Sequence, residues 1–380
     1  MIETMRVVSL FIFALGACAV EPPPDWCFDE PPDEACFRNK RPSDHPNLLR
    51  ASEIAHAFMQ RHQAVELKWG WEDGVLLTAL SELHRVTQDD QIERYLRAYF
   101  SHYDQQNVAF EVSDDCPPVA AAAYLGGFET MVDSMNVYLD QQALRTPEGL
   151  LNHNGVLELI PPSAWLDSLF MFGMPLMRQA EFQGRSSRLE FYAEQLRLFL
   201  DMLQEDSGLF THADRHWVNA QDEGVFWARG NGWVTAAVAE YLRLRRNQGE
   251  TDTVVLDAFK RQIDALVERQ AESGRWWTLL SDPGAVYQET SATALFAFGM
   301  ARAWRYGALD DTILPVIHRA VDGILAKVSD RDGGPVVTDI SGPTMAGTRA
   351  VYAQVPLRED ISFGVGSVLL ALIESSGLPQ

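Results

Sequence analysis

The segment Phe226-Trp-Ala-Arg-Gly-Asn-Gly-Trp233 places an arginine and two tryptophans at the start of an apolar helix. Arg229 and Trp233 are four residues apart, so a regular helical turn puts them on one face. An indole stacks on the apolar C–H face of a sugar, and a guanidinium grips a carboxylate in a fixed fork. The same stretch also reads as an ordinary helix start, with glycines for close backbone contact and tryptophan as core filling. Asp167 is the sharpest single residue, because it stands in the apolar run Trp165-Leu-Asp-Ser-Leu-Phe-Met-Phe172. An acid there either satisfies free N–H groups of a first helical turn or has its pKa raised by aromatic neighbours and acts as a general acid.

Comparable residues recur in other loops that precede apolar helices. Trp69, Trp71, Glu72 and Asp73 form one group, Asp114 and Asp115 a second, and Trp165 with Asp167 a third. His212, Asp214, Arg229 and Trp233 follow, then Tyr287 with Glu289, then Arg358, Asp360 and Phe363. Rings interleaved with carboxylates and lone cations suit a carbohydrate cleft, where carboxyl groups perform acid–base work at a glycosidic or enol centre. Each acid also has a bland reading. Asp114 and Asp115 before Pro117-Pro118 can be N-terminal helix acids, His212 can pair with Asp214, and Glu289 or Asp360 can cap a helix. No nucleophile elbow, P-loop or dinucleotide fingerprint is present.

The elements that must position these residues are helical. Three- and four-residue apolar spacing predicts helices over 48–59, 74–86, 92–102, 119–139, 165–177, 189–203, 233–244, 254–267, 290–304, 313–328 and 364–373. Residues 335–340 and 350–355 are the best strand candidates and predict a short ribbon. Loop-then-helix units begin near residues 69, 115, 165, 228, 287 and 363, at intervals of roughly sixty residues, enough for a helical hairpin with loops. Because the rich loop always precedes the apolar helix, a closed toroid with one functional rim is favoured over an open solenoid. The expected fold is therefore all-α, an (α/α)6 barrel spanning residues 46–380.

Composition excludes some functions. The 380-residue chain carries a net charge of -22 and no run of basic residues, so nucleic-acid binding is not expected. An apolar run over 7–19, too short for a comfortable span, reads as an export signal. Leu15-Gly-Ala-Cys18 resembles a bacterial lipobox, which makes residues 1–18 a signal peptide and Cys18 the lipidation site. Cleavage just beyond this run, without lipid, is the alternative. Residues 19–45, rich in proline and acid, read as a tether. The expected location is the periplasm or the outer membrane, with membrane contact only through that anchor. Of the remaining cysteines, Cys27 and Cys36 are the local disulfide choice, and Cys116 is open to pairing with either. No thiolate metal site has the right spacing.

With these pieces in place, the chain resembles the unsaturated glucuronyl/rhamnogalacturonyl hydrolases of glycoside hydrolase families 88 and 105, over about residues 45–375. The resemblance rests on Trp165–Met171, Phe226–Trp233, Tyr287–Ala297 and Gly347–Gly366. It implies an (α/α)6-barrel enzyme without metal or organic cofactor. Its substrates would be oligosaccharides ending in a 4,5-unsaturated uronate, supplied by an upstream polysaccharide lyase. It further implies that Asp167 protonates the double bond and activates water, with Asp115 or Asp114 assisting. His212, Arg229, Trp233, Trp71, Trp165 and Glu289 would contact substrate, with Arg229 and Trp233 holding and stacking the uronate. The first-unit motif Trp69-Gly-Trp-Glu-Asp-Gly74 and Cys116-Pro-Pro118 depart from the family pattern. The competing readings are a non-catalytic glycan-binding lipoprotein and a toroid-fold lyase.

Overall fold

The computed structural model describes Arg38 and residues 40–379, Leu159 excepted; the leader, Cys18, Cys27 and Cys36 lie outside the described residues. From Lys40 onward the chain forms one compact unit. Twelve helices of eight residues or more are present among the described residues. In chain order they are α1 (Pro46–Arg61), α2 (Trp71–Thr87), α3 (Asp90–Asp104), α4 (Pro118–Leu125), α5 (Glu129–Val137) and α6 (Gly173–Phe182). Then come α7 (Ser186–Leu203), α8 (Ala228–Asn247), α9 (Thr253–Val267), α10 (Thr290–Arg305), α11 (Leu314–Leu325) and α12 (Ser362–Ser375).

The even-numbered helices form a ring in which each packs on the next, and α12 closes against α2. The odd-numbered helices lie outside it: α1 packs on α12, α3 on α2, α9 on α8 and α11 on α10. Side-chain patterning dictates this division. Residues Ala228–Arg245 of α8 and all of α10 and α12 are buried, the mark of helices surrounded by protein. Outer helices such as α3 and α11 bury one apolar stripe. Small residues let the inner helices approach. A Cβ on Gly366 would lie 2.8 Å from the Leu76 backbone, so glycine permits the α12–α2 contact that closes the ring.

All inner helices run in one sense, so their N-termini gather at one rim. Their C-terminal halves meet around a buried ionic network. Arg178 binds Glu240 at 2.7 Å, Arg243 binds Glu181 and Glu240 at 2.6 Å, and Arg302 binds Glu374 at 2.9 Å and Glu82 at 3.2 Å. Arg178–Glu82 and Arg302–Glu240 complete it. Burial would raise the Glu240 carboxyl, but Arg178, Arg243 and Arg302 hold it well below the carboxylate range. Such a network is maintained only when each charge is paired, and it ties α2, α6, α8, α10 and α12 together beneath the rim.

Three local expectations change. The helix expected over 119–139 breaks into α4 and α5 at Gly126 and Gly127, whose φ values of +67° and +86° end a right-handed helix. The strand expected over 350–355 is a short helix, Arg349–Gln354. The ribbons instead pair β3 (Val328–Arg331) with β4 (Gly334–Val337), and β5 (Ile340–Ser341) with β6 (Leu357–Arg358), after the small pair β1 (Trp276–Trp277) and β2 (Gln288–Glu289). Cys116 is buried, with its thiol free among the described residues, which include neither Cys27 nor Cys36. No helix among the described residues is long and apolar enough to cross a membrane.

Candidate active site

A cavity of about 250 Å³ opens at the N-terminal rim of the inner ring. Its carboxyl groups are Asp114 and Asp167, its rings are Trp71, Trp165 and Trp227, and Arg229, His153 and Asn154 add polar edges. They come from several separate loop-to-helix junctions. Trp71 opens α2, Asp114 lies in the 3-10 turn Ser113–Asp115 before α4, and Asp167 precedes the one-turn helix Ser168–Met171 that leads into α6. Trp227 is the N-cap of α8, with Arg229 in that helix's first turn.

Main-chain pairing sets Asp167 beside His212. Trp165 and Ala213 form an antiparallel bridge, and the Leu166 N–H donates to the His212 carbonyl at 3.0 Å. Leu166 can sit there because Gly230 leaves room; a Cβ on Gly230 would lie 2.5 Å from Leu166 Cδ1. Asp167 Oδ2 is then 3.1 Å from His212 Nε2, off the line of a good hydrogen bond, and neither atom has another hydrogen-bond partner. The side chain of Asp167 caps no helix, and Asp214 spends its carboxylate on the Ala164 and His216 amides. His212 therefore pairs with Asp167, not Asp214. It is 1% exposed and stands behind the acid, outside the cavity lining.

The two cavity acids have opposite proton affinities. Burial would raise Asp167, but His212, then His153 and Arg229, bring it below its ordinary value. Burial, followed by the charges of Asp167, Asp115 and Glu72, pushes Asp114 up to about 8. Its side chain keeps 34% of its surface open, so cavity water moderates that shift until substrate displaces it. His153, lowered to about 4 chiefly by burial, stacks on Trp165 at 4.4 Å with an 8° interplanar angle. Its Nε2 lies 3.9 Å from Asp114 Oδ1.

Four expected site residues have other duties. Trp233 is fully buried against Phe170 and edge-on to Trp71; it is the cavity's foundation, and Trp227 is the indole that lines it. The i to i+4 spacing gave no way to know which of Trp227 and Trp233 faces inward, because the helix begins only at Ala228. Asp115 Oδ2 accepts the Glu111 and Val112 amides at 2.9 and 3.0 Å, which leaves Asp114 to face the cavity. Glu289 is fully buried and caps α10, accepting from the Ser291 and Ala292 amides, both at 2.7 Å. Arg229 lines the cavity but donates to the Ser341 and Gly342 carbonyls at 2.5 and 2.7 Å and to Thr344 Oγ1 at 3.1 Å. Its guanidinium lies between the rings of Trp227 and Phe363, with Nε unpartnered.

Glu289→Ala should accordingly lower stability by about 1 kcal/mol, the worth of an N-cap, with KM unchanged. Thermal melting and steady-state kinetics check this, and a raised KM at unchanged melting temperature would contradict the capping role. Sequence reasoning passed over His153 and Asn154, which sit in Asn152-His-Asn-Gly155 between helices and belong to no periodic pattern. Their only sequence signal is two polar side chains just upstream of the Asp167 loop. A separate cavity of about 610 Å³, lined in part by Asp214, Asp222, Glu223 and Tyr352, contains neither Asp114 nor Asp167. Among the described residues no group of three or more His, Cys, Asp or Glu side chains is arranged to hold a metal ion.

A closed ring of six helical hairpins with carboxyls and indoles at one rim is the architecture of a helical-barrel glycosidase. The family model for glycosyl hydrolase family 88 matches residues 50–378, and the chain belongs to that family. It is 27% identical over 345 residues to the unsaturated rhamnogalacturonyl hydrolase YesR of Bacillus subtilis (strain 168), covering 86% of this chain and 94% of that protein. It is 28% identical over 215 residues to an unsaturated 3S-rhamnoglycuronyl hydrolase of Alteromonas sp. (strain LOR), covering 55% of this chain and 50% of that one. The (α/α)6 fold is shared with a possible member of the GH105 family from Salmonella enterica serovar Paratyphi A. That structure superposes with a TM-score of 0.76 at 23% identity, covering 88% of this chain and 96% of the other.

Proposed function

We propose that this glycosidase removes a terminal 4,5-unsaturated uronic acid from lyase-generated oligosaccharides by hydrating the C4=C5 double bond, with an unsaturated rhamnogalacturonyl disaccharide as its first candidate substrate. The observation that carries the reading is a pair of carboxyls, Asp114 and Asp167, facing the same indole-walled cavity, with burial and neighbouring carboxylates raising the one and His212, against burial, lowering the other. Hydration of an enol ether needs both a proton donor to carbon and an acceptor for a proton of water. Asp114 supplies the proton to C4, and positive charge develops at C5 and the ring oxygen. Asp167 takes a proton from water as its oxygen bonds to C5. The resulting hemiketal opens to a ketone at C5, and C1, now a hemiacetal, releases the next sugar with its hydroxyl. This divides between two acids the proton donation and water activation that the family resemblance gives to Asp167, with Asp114 or Asp115 only assisting.

Trp71, Trp165 and Trp227 provide stacking faces. Arg229, Trp227 and Asn154 also line the cavity, and each keeps a buried N–H donor, Nε, Nε1 and Nδ2, without a protein partner. Loss of ultraviolet absorbance from the 4,5-double bond tests the reading: a hydrolase makes it fall, a lyase makes it rise, and a glycan-binding protein leaves it flat. Export with a lipid on Cys18 belongs to the same proposal, on the strength of the lipobox-like run. Labelled palmitate should enter the protein and be lost in Cys18→Ser; equal labelling of both would refute it.

A further inference from the structure

We infer that Tyr352 is a positioning residue that acts through His212 to orient Asp167, an inference that rests on the proposed hydration reaction. The Tyr352 hydroxyl lies 3.0 Å from His212 Nδ1, and His212 Nε2 lies 3.1 Å from Asp167 Oδ2. The same hydroxyl accepts the Gly347 N–H at 3.4 Å, so its own hydrogen is free to donate to Nδ1. That leaves the ring hydrogen on Nε2, facing Asp167. Burial raises the phenol above its ordinary pKa, which keeps that hydrogen in place. Three rings hold the imidazole plane: Trp227 stacks on His212 at 4.3 Å and 24°, Tyr352 lies on it at 5.9 Å and 29°, and Trp165 meets it edge-on at 5.1 Å.

The segment carrying Tyr352 is fastened at several points. Arg229 binds the Ser341 and Gly342 carbonyls, the Trp217 indole donates to the Ala346 carbonyl at 3.1 Å, and the Tyr287 hydroxyl donates to the Val355 carbonyl at 2.6 Å. The last long loop of the barrel thus delivers a fixed hydroxyl to the histidine that stands behind Asp167, which the third unit supplies. Outer partners of this kind set ring orientation and the placement of the proton.

Tyr352→Phe keeps the ring and removes the hydroxyl. It should lower kcat by on the order of tenfold to a hundredfold, the cost of misplacing a reacting group, with KM within about twofold. In a His212→Gln background the same change should have no further effect, because the route through the imidazole is gone. Nitrogen NMR of ring-labelled histidine in the substrate-free protein should report a shift of the His212 Nδ1 signal in Tyr352→Phe. An unchanged kcat with unchanged His212 signals, or an equal loss in both backgrounds, would overturn the inference. If wild type fails to consume unsaturated uronides, the reaction assignment falls while the NMR comparison still decides the Tyr352–His212 contact.

Discussion

Asp167→Asn is expected to cut hydration of the unsaturated uronide by on the order of a thousandfold, the scale of a lost general base. Asparagine fills the same space beside Trp165 and His212 but cannot take a proton from water. His212 also loses its anionic partner, so the amide must find a new arrangement with Nε2. A second consequence concerns the neighbour: the Asp167 charge helps to raise Asp114, so its removal lets Asp114 ionise at lower pH. Both effects reduce the rate at neutral pH. The linkage to stability has a definite sign. Asp167 is held below its ordinary 3.8 in the folded protein, so its ionised form stabilises the fold above that pH, and this contribution disappears as pH falls through the folded value. The variant should therefore melt somewhat below wild type at pH 7 and converge with it in acid. The continuous absorbance assay and melts at both pH values check this; turnover within tenfold of wild type would remove Asp167 from the mechanism.

What the sequence makes legible follows from how local each signal is. The ring of six hairpins is readable because apolar periodicity and the regular placement of rich loops are properties of short stretches. Asp167 is readable for the same reason, as an acid in an aromatic run. The direction in which a side chain faces at a junction depends on where the helix begins and on the element opposite. Trp233 carries the periodic signal but is the sixth residue of α8, deep in the ring, while Trp227 at the N-cap reaches the cavity. Asp114 and Asp115 differ only in a 3-10 turn, which sends one carboxylate to backbone amides and the other to the site. Arg229 looks like a free fork in sequence, yet two carbonyls from β5 and the residue after it occupy its N–H groups. Tyr352 lies 140 residues from His212, and no local pattern joins them.

Asp114→Asn should be as damaging as the loss of Asp167, again on the order of a thousandfold, but through a different limb of the pH profile. In wild type the active form pairs an ionised Asp167 with a protonated Asp114, so activity should extend from below the ordinary carboxylate pKa up to the region of about 8 set by Asp114. It should then fall as Asp114 loses its proton. The two groups interact, so this limb belongs to the pair. Asparagine does not titrate and cannot protonate C4; the residual rate of the variant should show no decline near 8. Stability should move the other way from activity. Asp114 has a raised pKa in the folded protein, so the fold is favoured below its unfolded value of 3.8 and loses that contribution as pH rises through about 8. An amide carries no such penalty, and Asp114→Asn should melt above wild type at pH 7 to 9 while matching it near pH 3. A variant that is slow yet keeps the wild-type basic limb would assign that limb to another group and make Asp167 the sole proton carrier. A variant that is slow, flat near 8 and more heat-stable would identify Asp114 as an acid kept for chemistry at the expense of the fold.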